Sequence, residues 1–70
     1  MTLYDLVAST NLQGNIRVST WKDDNEKVIA KWQDCDELFC GELEEEWKDM
    51  EVDYIFCSCD GFLHIEVKES

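Results

Sequence analysis

The sequence contains no proline, only three glycines, a single histidine and just six lysine and arginine residues. Because no proline-rich or low-complexity linker divides it, we predict one domain spanning residues 1–70. The six bases are scattered, which disfavours direct binding to nucleic acid or to an anionic membrane. There is also no apolar run near the roughly 18 residues of a membrane span and no basic start typical of a secretory signal, so we expect a cytoplasmic protein.

Acidic and apolar residues are abundant. Seventeen aspartates and glutamates give a formal net charge of −11, so self-repulsion should destabilise the fold at low salt. Hydrophobic residues at 44% and eight aromatic residues exceed what a disordered acidic segment contains. The chain is therefore predicted to fold around one small core.

The first half of the sequence predicts a helix followed by a hairpin. Thr2 and Asp5 have the spacing of a capping box at the start of a short helix. Alternating apolar residues then predict strands over 15–22 and 27–33, with a turn between them.

The loop of this hairpin decides which side chains share a face. A loop of three or five residues puts Val18 beside Trp32 on the core face, whereas a loop of four would put Val18 on the face of Lys31. We therefore predict an odd-numbered loop.

The middle of the sequence is acidic but interrupted by apolar residues. Residues 34–53 contain ten carboxylates against one base, Lys48. Asp34 or Asp36 is predicted to cap a helix that continues through residue 50, with glutamates facing outward. Gly41 weakens this helix by about 1 kcal/mol, so a turn over 36–40 followed by a helix from residue 42 is the alternative. The predicted core stripe is Phe39, Leu43, Trp47 and Met50.

The end of the sequence predicts a second hairpin. Residues 51–59 and 62–67 alternate, and the dipeptide Asp-Gly at 60–61 is typical of a two-residue type I′ turn. This turn places Phe56 opposite Ile65 on the core face. The other face then carries Cys57 opposite His64.

These elements together predict an α+β fold. The order is α-β-β-α-β-β, and the simplest assembly is a four-stranded antiparallel sheet with the acidic helix packed on one face.

Cys57, Cys59 and His64 are the candidate metal ligands, with Cys35 or Cys40 as a fourth. A Cys-x-Cys pair on a regular strand does not wrap easily around a tetrahedral ion, and cysteines often fill a core as small apolar residues. We therefore predict no metal and no other cofactor, and keep a small zinc domain as an alternative.

Cys57 beside His64 also has the residue types of a thiol and its base. Nucleophilic catalysis would in addition need an oxyanion site and a pocket, which a flat sheet in so short a chain does not provide. The sequence also lacks a calcium-binding loop. We predict that the protein is not an enzyme.

The opening residues 1–6, the early hairpin, the acidic middle and the strand around residues 50–55 resemble the small uncharacterised acidic proteins common in bacteriophage and prophage genomes. Such proteins are similar in kind to anti-CRISPR and other anti-defence inhibitors, several of which occupy the nucleic-acid channel of a nuclease. The resemblance implies an inhibitor that works in the cytoplasm of a bacterial host and enters a channel lined with lysine and arginine.

We expect a non-enzymatic acidic protein that mimics nucleic acid and binds a basic surface of a nucleic-acid-binding protein, such as a CRISPR nuclease. The alternatives are an acidic face that only solubilises, the zinc domain, and a homo-oligomer that buries Trp21, Phe62 and Ile55 against a copy. Trp21 is also the aromatic residue best suited to an interface. The expected partner-binding residues are Glu42, Glu44, Glu45, Glu46, Asp49, Glu51, Asp53 and Trp21.

Overall fold

A computed structural model describes residues 1–68 of the chain. The predicted order of helices and strands is confirmed, with a 3₁₀ turn added before the second helix. None of the helices in residues 1–68 is long and apolar enough to cross a membrane. The elements are α1 (Leu3–Ser9), β1 (Gly14–Lys22), β2 (Asn25–Cys35), the 3₁₀ turn (Cys40–Glu42), α2 (Glu45–Lys48), β3 (Glu51–Cys57) and β4 (Leu63–Lys68).

Helix α1 begins with the predicted capping box. The Thr2 Oγ1 accepts a hydrogen bond from the Asp5 backbone N–H at 3.1 Å, and the Asp5 carboxylate accepts one from the Thr2 N–H at 3.3 Å. These two bonds satisfy N–H groups that have no partner within the helix. The helix then buries Leu3, Leu6 and Val7.

The four strands form one sheet in the order β2-β1-β4-β3. Each hairpin is antiparallel, but the two hairpins join through β1 and β4, which run parallel with Ile16 beside Leu63 and Val18 beside Ile65. The predicted α+β class is confirmed, whereas the fully antiparallel sheet is wrong because the central pair makes the sheet mixed. The central strands are the ones whose inward β-branched side chains are fully buried.

The inner face of the sheet is covered and the outer face is open. Helix α1 and residues 36–50 pack on the inner face and share one hydrophobic core with it. The outer face is the side of β1 that carries Arg17, Ser19 and Trp21, and the described helices do not cover it. The buried core consists of Leu3, Leu6, Val7, Ile16, Val18, Leu38, Leu43, Ile65 and Val67.

The acidic segment contains much less helix than predicted. The long helix ending at Met50 is wrong: the chain makes a 3₁₀ turn at Gly41 and then only the four residues of α2. The alternative, a break near this glycine, is closer to the structure. The extended backbone at Phe39 (φ −102°, ψ 149°) turns that ring outward, 58% exposed, while its neighbour Leu38 is buried. Phe39 is therefore not the core residue that helical spacing predicts.

The first hairpin combines a tight turn with a β-bulge. Asp23 and Asp24 have φ values of 53° and 64°, so they form a two-residue turn of the primed kind, and the predicted odd loop is wrong. The register then shifts by one residue at Ile29. This bulge brings Val18 opposite Ala30 and onto the face of Trp32. Val18 and Trp32 therefore share a face as predicted, but because of the bulge and not because of the loop length.

The second hairpin closes through a three-residue loop, Cys59 to Gly61. The N–H of Gly61 donates to the Ser58 carbonyl at 3.2 Å, and the N–H of Ser58 donates to the Phe62 carbonyl at 3.2 Å. Gly61 has φ 85°, whereas Asp60 does not have the positive φ that a type I′ turn requires. The loop is therefore a turn followed by a glycine bulge, and the predicted two-residue turn is wrong.

That extra loop residue reverses which side chains of β3 lie on the inner face of the sheet and which lie on the outer face. Phe56 lies opposite His64 and Ile55 lies opposite Ile65, so the register is offset by one residue from the prediction. Tyr54 and Phe56 consequently lie on the outer face, not in the core. Ile55 takes the inner position at the edge of the sheet, where it is 48% exposed.

Candidate functional site

The acidic residues expected to bind a partner form a carboxylate array: Glu42, Glu44, Glu45, Glu46, Asp49, Glu51 and Asp53. This array lies on the surface, as its sequence pattern indicates. Glu42 accepts a hydrogen bond from the Phe39 N–H at 3.1 Å, and Glu45 pairs with Lys48 at 3.0 Å. The side-chain carboxylates of Glu44 and Glu46 have no ion-pair or hydrogen-bond partner among residues 1–68. The five helix-region members Glu42, Glu44, Glu45, Glu46 and Asp49 are all exposed.

The two β3 members of the array have partners at their edge of the sheet. Glu51 pairs with the N-terminal amino group at 2.9 Å, and Asp53 is 3.9 Å from the Lys68 Nζ. Both pairs are solvent-exposed, so each contributes little to stability. These two carboxylates are therefore partly compensated, unlike Glu44 and Glu46.

The backbone beneath the array is fixed. Leu43 is buried, and Trp47 and Met50 pack against the same core. The N–H of Leu3 donates to the Met50 carbonyl at 2.9 Å, and the N–H of Val52 donates to the carbonyl of the first residue at 2.8 Å. These contacts hold the carboxylates on a folded frame although regular helix is short.

A groove of about 780 Å³ separates α2 from the strand ends of the first hairpin. Its volume is in the range of small-molecule sites. Acidic and basic side chains both line it, so it does not concentrate charge of one sign. The charged lining residues are Lys22, Lys27, Glu46, Asp49 and Lys68, and the aromatic ones are Trp21 and Trp47.

Cross-strand pairing arranges the outer face in rows. One row crosses the sheet as Lys31, Arg17, His64 and Phe56, and the next as Val28, Ser19, Glu66 and Tyr54. A third pair, Trp21 with Glu26, lies on β1 and β2. Trp21, Val28, Tyr54 and Phe56 are between 43% and 61% exposed.

Arg17, His64 and Asp60 form a polar chain in the centre of this face. The Arg17 Nη2 lies 2.7 Å from His64 Nδ1, and His64 Nε2 lies 3.1 Å from the Asp60 carboxylate. Because a guanidinium only donates, Nδ1 must be the accepting nitrogen and Nε2 must carry the proton that points at Asp60. The ring is buried, with its centroid 5.0 Å from that of Phe56.

The Asp60 carboxylate is stabilised in its charged form. The backbone N–H of Phe62 donates to it at 2.9 Å and is the main reason that the pKa of Asp60 is lowered. The hydrogen bond from His64 and the charge of Arg17 lower this pKa further. Asp60 therefore ties the loop to the polar chain.

Two buried polar atoms of the outer face have no hydrogen-bond partner among the described residues: the Arg17 Nε and the Ser19 Oγ. Both residues lie on β1, where Arg17 is beside His64 of β4 and Ser19 is beside Glu66. Leaving such groups unpaired costs about 1–3 kcal/mol each. The polar centre of this face is thus incompletely satisfied.

The predicted metal candidates do not come together. Cys57 lies opposite Leu63 on the inner side of β3, whereas His64 points to the outer face. Cys59 is exposed in the loop, and no group of three metal-binding side chains occurs within residues 1–68. The predicted pairing of Cys57 with His64 is therefore wrong, and with it the thiol–base geometry.

Trp21 is exposed on the outer face, as predicted. Phe62 is half-buried, with the Lys31 Nζ 4.7 Å from its ring centroid, so it does not complete the predicted aromatic patch. Sequence reasoning missed Tyr54 and Phe56 as outer-face residues. The Asp-Gly dipeptide could have indicated these positions, because it fits a three-residue loop with a glycine bulge as well as a two-residue turn.

Comparison of the chain with protein-family models, with curated proteins and with solved structures finds no match.

Proposed function

We propose that this chain is a non-enzymatic acidic protein that binds a basic, nucleic-acid-binding surface of another protein. The observation that carries the proposal is the array around α2, where Glu44 and Glu46 are exposed without a counterion within residues 1–68 on a backbone fixed by the core. An array held in place needs little ordering on binding, so more of its attraction appears as affinity.

Charge supports the same proposal. The net charge of −11 produces a field that repels nucleic acid and attracts lysine-rich and arginine-rich surfaces. Arginine side chains that bind phosphate in a nucleic-acid channel bind carboxylate with the same two-pronged geometry. The array can therefore compete with nucleic acid for such a channel.

In its most specific form, the proposal is a phage-type inhibitor of a host defence protein such as a CRISPR nuclease, acting in the cytoplasm of the bacterial host. The support for this form is the resemblance in sequence pattern together with the acidic, rigid surface. Its partner is a basic protein, with no direct contact to nucleic acid or membrane.

The test reverses the charge of Glu44 and Glu46. Glu44→Lys with Glu46→Lys should abolish low-salt capture of nucleic-acid-binding proteins from a bacterial lysate, and should restore DNA cleavage by any captured nuclease. Capture by the unchanged protein should fall steeply with salt, because exposed charges are screened beyond about 8–10 Å.

The matched control is Asp36→Lys with Glu37→Lys. These two side chains are also exposed and acidic, so the control changes total charge equally at a neighbouring place. If both double variants lose capture to the same degree, only overall charge matters and the array is not the contact. If the unchanged protein captures no nucleic-acid-binding protein at low salt, the proposal is wrong.

A further inference from the structure

The outer sheet face has the chemistry of a cation-binding surface. Tyr54 is 61% exposed and lies directly across from Glu66, and Trp21 is 56% exposed and lies directly across from Glu26. Directly opposite residues of a sheet have Cβ atoms about 5 Å apart, so each aromatic ring stands beside a carboxylate. An aromatic face next to a carboxylate favours a lysine or arginine side chain by two independent effects.

The Tyr54–Glu66 pair has unused binding capacity. The half-buried carboxylate of Glu66 has no ion-pair or hydrogen-bond partner among residues 1–68, and the Tyr54 hydroxyl makes no hydrogen bond to any of them. The Ser19 Oγ, buried and unpaired, lies on the other side of Glu66. A carboxylate in partly apolar surroundings gains more from an incoming cation than a fully solvated one.

The same face already shows how it receives a cation. The Lys31 Nζ lies 4.7 Å from the Phe62 ring centroid, within cation–π distance. Arg17 is occupied by His64 and by Glu26 at 3.4 Å, so the sheet's own guanidinium does not fill the Tyr54–Glu66 position. Lys68 of β4 pairs with Asp53 at 3.9 Å, so these three bases leave the Tyr54–Glu66 position to a partner.

We propose that the outer face of β3 and β4, centred on Tyr54, Phe56 and Glu66, is the docking surface for an arginine- or lysine-bearing segment of the basic partner. This inference rests on the proposed function, and it assigns the specific contact to the open sheet face while the α2 array provides long-range attraction. Aromatic residues at such a position are typical interface hot spots. A second copy of this chain is a worse occupant, because two chains of charge −11 repel each other.

The experiment uses the full chain and an alternating arginine–alanine decapeptide, followed by backbone and side-chain NMR at low salt. We expect the largest shift changes at Tyr54, Phe56 and Glu66, with no change on addition of a glutamate–alanine decapeptide. Tyr54→Ser and Glu66→Gln should each weaken peptide binding about two- to fivefold, the range for an exposed cation–π contact.

Two matched variants separate this surface from general effects. Tyr4→Ser removes another exposed tyrosine, from α1, and Glu44→Gln removes the same charge from the array. Both should bind the peptide less than twofold more weakly than the unchanged chain. Cooperative urea unfolding of every variant verifies that the fold is kept.

Three results would overturn this inference. Shift changes confined to residues 42–49 would place the cation on the α2 array, and the proposed function would stand without this surface. Outer-face shifts that depend on protein concentration alone would make the face a self-association surface. An absence of shift changes at millimolar peptide would rule out cation binding by this face. Capture by the Glu44→Lys, Glu46→Lys double variant tests the proposed function separately.

Discussion

At the scale of single residues, His64 shows how neighbours determine the position of one proton. Arg17 cannot accept a hydrogen bond, so the Nδ1 atom of His64 accepts and the Nε2 atom donates to Asp60. The imidazole is therefore bound on both sides in its neutral form. The hydrogen bonds that join Arg17, His64 and Asp60 thus link the loop of the second hairpin to strand β1.

Asp60→Ala should lower stability in a pH-dependent way. The Phe62 N–H holds the Asp60 pKa below its ordinary value, so the charged carboxylate stabilises the fold above about pH 4, and this contribution is lost as the pH falls through the lowered pKa. The difference in unfolding free energy between the unchanged chain and the variant, measured in urea, should narrow from pH 7 toward pH 2.5.

Asp60→Asn is the control for this prediction. It keeps an oxygen that accepts from the Phe62 N–H but carries no charge. Its unfolding free energy should therefore lie between those of the unchanged chain and Asp60→Ala at pH 7, and should equal that of the unchanged chain at pH 2.5. A gap between the unchanged chain and Asp60→Ala that is constant with pH would show that the charge of Asp60 contributes nothing.

At the scale of elements, the two hairpins show what local sequence can and cannot specify. Alternation located all four strands, and the capping box at Thr2 located α1. The Asp-Gly dipeptide indicated a turn but did not decide between two loop lengths, and one loop residue moves Tyr54 and Phe56 to the opposite face. The β1–β4 pairing depends on contacts far apart in sequence, so periodicity could not reveal the parallel centre.

The acidic segment was less predictable for a related reason. Helical spacing of its apolar residues suggested one long helix, but Gly41 and the need to bury Leu38 favour an extended stretch and two short turns. The exposure of the carboxylates could be predicted, because charge burial is costly in any backbone conformation. The fold was needed to show which carboxylates lack a partner within residues 1–68, those of Glu44 and Glu46 among them.

Deletion of Cys59 should leave the fold intact. Ser58 pairs with Phe62 across the present three-residue loop, so the shortened chain can close the same pair with the favoured two-residue Asp-Gly turn. We expect a change of less than about 1 kcal/mol in unfolding free energy, with cross-strand NOEs between Ile55 and Ile65 retained. Cys59→Ser controls for loss of the thiol.

Loss of cooperative unfolding on this deletion would contradict the register. In the alternative pairing of Cys59 with Phe62, the deletion would shift β3 by one residue and turn all its core side chains outward.

Asp24→Gly should stabilise the first hairpin. Asp24 has φ 64°, where glycine has no steric cost and aspartate does, so a gain of up to about 1 kcal/mol in thermal or urea unfolding is expected. Asp24→Ala removes the same charge but tolerates this backbone poorly, and it should destabilise. If both variants gain equally, relief of charge repulsion explains the effect and the turn geometry does not.

At the scale of the whole molecule, net charge opposes a small core. The fold buries nine hydrophobic residues within the described range and carries a charge of −11, so repulsion is a large fraction of a marginal stability. The described ion pairs are mostly exposed and compensate little of it.

Stability should therefore rise with salt. We expect the melting temperature to increase by several degrees between about 0.01 and 0.5 M NaCl, since the screening length falls from roughly 30 Å to a few ångströms. Replacing Glu44, Glu45 and Glu46 by glutamine changes the net charge from −11 to −8 and should reduce this increase. A melting temperature independent of salt in the unchanged chain would show that repulsion is unimportant.

The parallel contact between β1 and β4 has a consequence for how the molecule folds. Ile16 and Leu63 lie side by side although 47 residues separate them, so the contact that unites the hairpins closes a long loop at an entropic cost of roughly 3 kcal/mol. Each hairpin can form locally within microseconds, but neither hairpin can form the hydrophobic core without the other. We therefore expect folding to be limited by the docking of the two hairpins along the β1–β4 pairing, which comprises only five residue pairs.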